Sequence, residues 1–202
     1  MLLTKFIQFI LVSFLAFSSP HISNNNKPIL ETTPIDTTKS LLIQNYDPKG
    51  NGSLDGTGNY GYKNPEGKNF GYIVFLTKII NKTTDPVEIN MNFSADSVAI
   101  PRQPQAYVKF FIPPDIMTFA KESLNDFGLT DLKSFLDKNY YKPSQIKRTI
   151  KPNDECYFYV VAISKGYYGV ARAGLVLKDQ NLFYQTNMLD SLISCGNVVF
   201  EK

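Results

Sequence analysis

The apolar positions change period along the chain, and each change marks a different kind of element. Tyr72 to Ile80, YIVFLTKII, is apolar on both faces and rich in β-formers. That pattern predicts a central strand covered on both sides. NKTTDP at Asn81 to Pro86 supplies a turn. Val87 to Ala95 then alternates, with Val87, Ile89, Met91, Phe93 and Ala95 on one face and Glu88, Asn90, Asn92 and Ser94 on the other. A period of two with one wet face belongs to an antiparallel sheet. Ser40 to Tyr46 and Ala106 to Ile112 read as further strands, the latter ended by Pro113 and Pro114.

The period lengthens after those prolines. Ile116, Phe119, Ala120, Leu124 and Phe127 recur at helical spacing, and Gly128 stands where a helix would stop. Thr130 is a candidate cap for a second short helix carrying Leu132, Phe135 and Leu136. We therefore expect a helical insertion over about 115–139. Strand patterns resume at Gln145 to Ile150, Cys156 to Ile163, Ala171 to Lys178, Leu182 to Gln185 and Val198 to Phe200. Lys151 to Asp154 and Asp179 to Asn181 are the expected tight connections. The predicted fold is mainly β: an antiparallel β-sandwich, immunoglobulin-like, with a short helical insertion.

The first residues follow neither pattern. Met1 to Ser19, MLLTKFIQFILVSFLAFSS, has one Lys, a short apolar run and small residues before Pro20. This is the order of a secretory signal peptide, and the run is shorter than the about 20 residues that span a bilayer. Residues 20–39, rich in Asn, Thr and Pro, read as a disordered tether, leaving 40–202 as one domain. The expected location is extracytoplasmic, periplasmic or secreted, with no membrane span after signal removal. Cys156 and Cys195 are the only cysteines. In an oxidising compartment their natural state is a disulfide, stabilising by roughly 3 to 4 kcal/mol on the chain-entropy account. Two buried free thiols are the alternative. Net charge is +3, which gives no footprint for nucleic acid.

Asp47 to Gly61, DPKGNGSLDGTGNYG, matches two motifs in part. As a calcium loop, Asp47 to Asp55 supplies Asp47, Asn51, Gly52 and Asp55, but position 3 is Lys49 and position 12 is Gly58, where a bidentate carboxylate belongs. As a nucleotide cradle, Gly56, Gly58 and Gly61 are followed by Pro65 and Gly67 in place of a helix. Val98-Ala99-Ile100 and Asp126-Phe127-Gly128 echo kinase signatures, yet Pro101 replaces the phosphate-binding Lys and no His-Arg-Asp exists. No cofactor or metal ligand set is assigned from these residues.

His21, in the tether, is the only histidine. Triads and imidazole metal sites need that ring inside the fold, so the expectation is a protein without catalytic residues. Carboxylate chemistry has candidates in Asp115, Glu122, Asp126, Asp131 and Asp137, which also suit a solvated helix face. Tyr60, Tyr62, Phe70 and Tyr72 surround the Gly-rich loop, while Tyr140, Tyr141, Tyr167 and Tyr168 lie in other connections. Loop tyrosines suit recognition of a protein, peptide or glycan; the alternative is packing at sheet margins. Sequons at Asn51, Asn81 and Asn92 carry meaning only in a eukaryotic secretory route.

At LTKIINKTTDPVEINMNFS, GLTDLKSFL and IKPNDECYFYVVAI the wording resembles small secreted proteins of Bacteroidota-type bacteria. That resemblance implies an exported location and carries no activity. The sequence thus leads to an exported non-enzymatic sandwich that binds a partner or serves the envelope. The alternative is a carbohydrate-active module, using Tyr stacking or an acid pair.

Overall fold

The computed structural model describes residues 30–31, 40–50, 54, 61–167 and 169–200. The predicted signal peptide and nearly all of the predicted tether lie outside them. The described residues form strands β1 (Leu30–Glu31), β2 (Leu41–Asn45), β3 (Tyr62–Lys63), β4 (Asn69–Asn81), β5 (Val87–Phe93), β6 (Val98–Ala99), β7 (Tyr107–Phe111), β8 (Ser144–Ile150), β9 (Glu155–Lys165), β10 (Ala173–Lys178), β11 (Asn181–Thr186) and β12 (Ile193–Phe200). Helix α1 (Leu132–Asn139) lies between β7 and β8.

Two antiparallel sheets pack face to face, as predicted for a β-sandwich. The first runs β1-β2-β4-β9-β7-β6 with β3 attached to β4; the second runs β10-β11-β12-β5-β8. The alternation of β5 holds as read: Val87, Ile89, Met91 and Phe93 are buried, while Glu88, Asn90 and Asn92 point outward. Burying that one face against Phe75, Phe110, Phe158 and Val160 of the first sheet forms the inter-sheet core. β4 and β9 are buried on both faces. Phe70, Tyr72, Val74 and Leu76 of β4, with Tyr159, Val161 and Ile163 of β9, build a second core with the insertion.

Polar side chains close the sandwich edges. Asn45 sits at an inward position of β2, and its amide pairs with a second-sheet strand as another strand would. Its Nδ2 donates to Leu175 O at 3.1 Å and its Oδ1 accepts from Leu175 N at 2.8 Å. Thr77 Oγ1 adds a bond to the same Oδ1 at 2.7 Å. Gly174 makes this approach possible, since a Cβ there would stand 2.6 Å from the Asn45 amide. Asn81 ties the far end: Nδ2 donates to Asp85 O and Ile150 O, both at 2.9 Å, and Oδ1 accepts from Thr83 N and Thr83 Oγ1. Unpaired strand edges invite pairing with other chains, and these two amides shield them.

The insertion departs from the predicted helices. Residues 115–127 form no α-helix; single 3-10 turns stand at Phe119–Lys121 and Asn125–Gly128. Asp126, Phe127 and Gly128 have φ of 49°, 53° and 65°, so the chain reverses where a helix end was expected. The cause is tertiary: Phe127 turns into the second core and becomes fully buried. α1 forms near its predicted place and buries Leu132 and Leu136. Thr130 does not cap it. Asp131, with φ of 52°, precedes the helix without a side-chain cap bond, and Thr130 N instead donates to Asp115 Oδ2 at 3.4 Å.

The expected Cys156–Cys195 disulfide is not present: both cysteines are free. Both face the inter-sheet space, but from different surroundings. Cys195 is fully buried on β12 beside Tyr184, whereas Cys156 opens β9 near Arg148. Burial pushes the Cys195 thiol up to about 12 and raises Cys156 as well, so both favour the unreactive thiol form. Among the described residues no helix is long and apolar enough to cross a membrane.

Candidate functional site

Strand register sorts the connections between the two ends of the sandwich. Asn81 pairs with Leu41, Val87 with Ile150 and Lys178 with Asn181. Among the described residues that end carries the tight links 82–86, 151–154 and 179–180, all three expected as turns from their residues. At the other end Tyr107 pairs with Lys165 and Ala173 with Thr186. The longer loops 100–106, 166–172 and 187–192 gather there. Long loops on a rigid scaffold are where binding groups are commonly carried.

Contacts join these loops into one surface. Arg102 Nη2 lies 3.4 Å from Asp190 Oδ2, linking 100–106 to 187–192. Asn187 N donates to Arg172 O at 3.0 Å, Arg172 N donates to Asn187 Oδ1 at 2.8 Å, and Asn187 Nδ2 donates to Val170 O at 2.9 Å. Arg172 Nη1 in turn holds Asp47 Oδ1 at 2.5 Å. Two cavities open here. One of about 580 Å³ is lined by Ser97, Ile100, Arg102, Gln103, Gln105 and Tyr107. The other, of about 340 Å³, is lined by Asn45, Arg172, Gly174, Gln185, Asn187 and Leu189. Val170 stands 70% exposed on loop 166–172. The surface offers guanidinium, amide and aliphatic groups, a set suited to recognition.

The Gly-rich stretch enters this region differently from either motif. Asp47 is paired with Arg172, and Lys49 Nζ donates to Glu122 O at 2.5 Å and Leu124 O at 3.0 Å. Gly61, with φ of 96°, lies where a Cβ would be 2.2 Å from Phe70 O, so close packing alone accounts for that glycine. Asn51, Gly52, Asp55, Gly56, Gly58 and Tyr60 lie outside the described residues. Among the described residues no three His, Cys, Asp or Glu side chains are placed to hold a metal ion.

The tyrosines divide between core and surface. Tyr62, Phe70 and Tyr72 are brought together as expected, but inside the second core, where Tyr140 from another connection joins them. Tyr62 OH donates to Asp137 Oδ1 at 3.0 Å, so that ring presents no stacking face. Tyr141 is 61% exposed, packs edge-on against Tyr140 at 4.8 Å and donates its hydroxyl to Glu66. Tyr167 is half-buried against the inter-sheet core, and Tyr168 lies outside the described residues.

The candidate carboxylates are engaged one by one. Asp126 Oδ2 accepts from Tyr72 OH at 2.8 Å, Asp137 binds Tyr62 and Lys133, and Asp115 receives Thr130 N. Glu122 contributes its backbone carbonyl, and Asp131 precedes α1. Asn81, one of the sequons, has its amide committed inside the fold, whereas Asn92 is exposed on β5. The sequence reading missed Asn45 as an organising residue. Its signal was present: a polar residue at an inward position of the Leu41, Ile43, Asn45 alternation.

The fold and this surface define an antiparallel β-sandwich with a loop-bearing end. Comparison with protein families, curated proteins and solved structures finds no match to the chain.

Proposed function

We infer that the protein is a non-enzymatic binding module of an extracytoplasmic compartment that engages a protein, peptide or glycan partner through its loop-bearing end. The observation that supports this is the asymmetry of the sandwich, with 100–106, 166–172 and 187–192 assembled around two open cavities at one end. The signal-like Met1 to Ser19 supports the compartment. The test compares wild type with a Val170→Asp, Arg102→Glu double variant on a peptide-display library and a glycan array. Binding lost in a folded double variant is the expected result; binding retained removes the loop end as the site.

The carbohydrate-binding alternative keeps one specific support, the exposed Tyr141 ring beside Glu66. Tyr141→Ala on the same glycan array separates the two, because Tyr141 lies outside the three loops. Glycan binding abolished by that change alone selects the alternative.

A further inference from the structure

Residues 115–131 cross the outer face of the first sheet as a strap that pairs with no strand. Its backbone hydrogen bonds run within the strap: Lys121 N to Thr118 O, Leu124 N to Lys121 O, Phe127 N to Leu124 O and Leu129 N to Asp126 O. Lifting it breaks no strand ladder. The strap is held by side chains instead. Tyr159 OH donates to Phe127 O at 2.9 Å, Tyr72 OH to Asp126 Oδ2 at 2.8 Å, and Lys49 Nζ to Glu122 O and Leu124 O. Phe127 is fully buried in a cluster that includes Tyr46, Tyr72, Val74 and Tyr159, with Lys49 Nζ 4.5 Å from its ring centroid.

Backbone geometry shows that this attachment is strained. Asp126 and Phe127 occupy the left-handed region with φ of 49° and 53°, which a bulky side chain adopts only where its surroundings over-determine it. The strap also leaves Ile116 71% and Leu124 52% exposed, so docking gains no apolar burial at those positions. Asp126-Phe127 therefore places an aromatic ring, an acceptor oxygen and a carboxylate against a cation and two phenol donors, in a backbone conformation that resists it.

We propose that Phe127 is a displaceable plug in a binding slot for an aromatic carboxylate, whose ring takes the place of Phe127 under Lys49 and whose carboxylate takes the hydroxyls of Tyr72 and Tyr159. This site is separate from the loop end and does not rest on that reading. A plug lowers apparent affinity by the fraction of time the slot is closed, so removing it tightens binding without adding a contact. A small aryl carboxylate and the C-terminal phenylalanine of a peptide present the same groups.

The probes are 3-phenylpropionate and the tripeptide Gly-Gly-Phe with a free carboxylate, with propionate as control, measured by isothermal titration calorimetry. Phe127→Ala is expected to bind at least one aromatic probe about tenfold or more tighter than wild type, and propionate not at all. Adding Lys49→Met or Tyr159→Phe is expected to weaken that binding again by about tenfold. The tighter of the two probes identifies the source of the ligand. Equal affinity of wild type and a folded Phe127→Ala, or affinity unchanged by both added substitutions, overturns the proposal. Hydrogen exchange of wild type provides the measurement that does not depend on that variant folding: saturating probe must speed exchange over 115–131 while α1 stays protected. No change over 115–131 overturns it equally.

Discussion

On the inner face of the first sheet Phe75, Val108, Phe110 and Phe158 meet Ile89, Phe93 and Leu175 of the second; on its outer face Tyr62, Tyr72 and Tyr159 meet the insertion. The two faces bury comparable rings, but their polar tips are treated differently. Inside the sandwich Tyr184 OH is buried without a hydrogen-bond partner. In the buried outer core the donors come from the sheet side and the acceptors from the insertion. Tyr62 serves Asp137, Tyr72 serves Asp126, Tyr159 serves Phe127 O and Lys109 Nζ serves Tyr140 O at 2.5 Å. Lys109 thereby reaches the C-terminal end of α1, where the carbonyls lack helical partners. Two sheets with alternating strands seal against each other by shape and apolar area. An irregular segment has no ladder and is held by directed hydrogen bonds.

The largest expected effect of this difference is on alkaline stability. Burial pushes Tyr46, Tyr140, Tyr157 and Tyr159 each up to about 12, and raises Tyr62 further with help from its bond to Asp137. Raised folded-state pKa values mean that their contribution is complete below pH 10 and is lost as pH climbs through 12. Lys49 and Lys109 act in the opposite sense, since desolvation lowers both below 10.5. Where the unfolded chain holds more protons stability rises with pH, and that gain ends near 10.5. Above it the tyrosines act together with the Cys195 thiol, which burial likewise pushes up to about 12. Phenolate absorbance at 295 nm should rise together with loss of the circular dichroism signal between pH 10 and 12. Ionisation of all the phenols centred at pH 10 in a protein that stays folded breaks the assignment of the outer core.

Second in size, Phe75→Ala removes a ring that packs edge-on against Tyr184 at 6.1 Å in the inter-sheet core. It is expected to cost about 4 kcal/mol in denaturant unfolding, with the outer core lost in the same transition. Separate transitions for the two cores would show that they are independent units.

The smallest and sharpest test makes one chemical change on each face. Tyr159→Phe leaves Phe127 O without its donor and should cost about 1 kcal/mol. Tyr184→Phe removes a hydroxyl that has no partner and should leave stability unchanged or slightly raised. Equal losses from the two substitutions would erase the distinction drawn between the faces.

Much of this was legible in the residues because it depends on neighbours in sequence. YIVFLTKII is apolar on both faces, and β4 is indeed buried on both. The Val87 to Phe93 alternation marks which face meets the core, and KPND closes as a turn through Asp154 N to Lys151 O. Short pairings without much apolar run escaped notice, such as Val98–Ala99 on Val108 and Tyr107, and β12 begins earlier than Val198 because Ile193 to Asn197 carries little pattern. The tyrosines around the Gly-rich loop read as surface or margin, Tyr72 also as the start of a covered strand, and only packing shows that Tyr62 is covered as well.

By itself the sequence determined the two-sheet sandwich, the place of its tight turns and the position of an insertion after Pro114. These follow from side-chain period and turn chemistry, which act over a few residues. The tertiary structure decided that residues 115–127 abandon their helical spacing, that Cys156 and Cys195 stay apart as thiols, and that Asn45 and Asn81 bind the sheets together. Each depends on groups distant in the chain. Phe127 is fully buried in the outer core, a cluster that also holds Tyr46, Tyr72 and Tyr159, and burying its ring there outweighs the local helical preference.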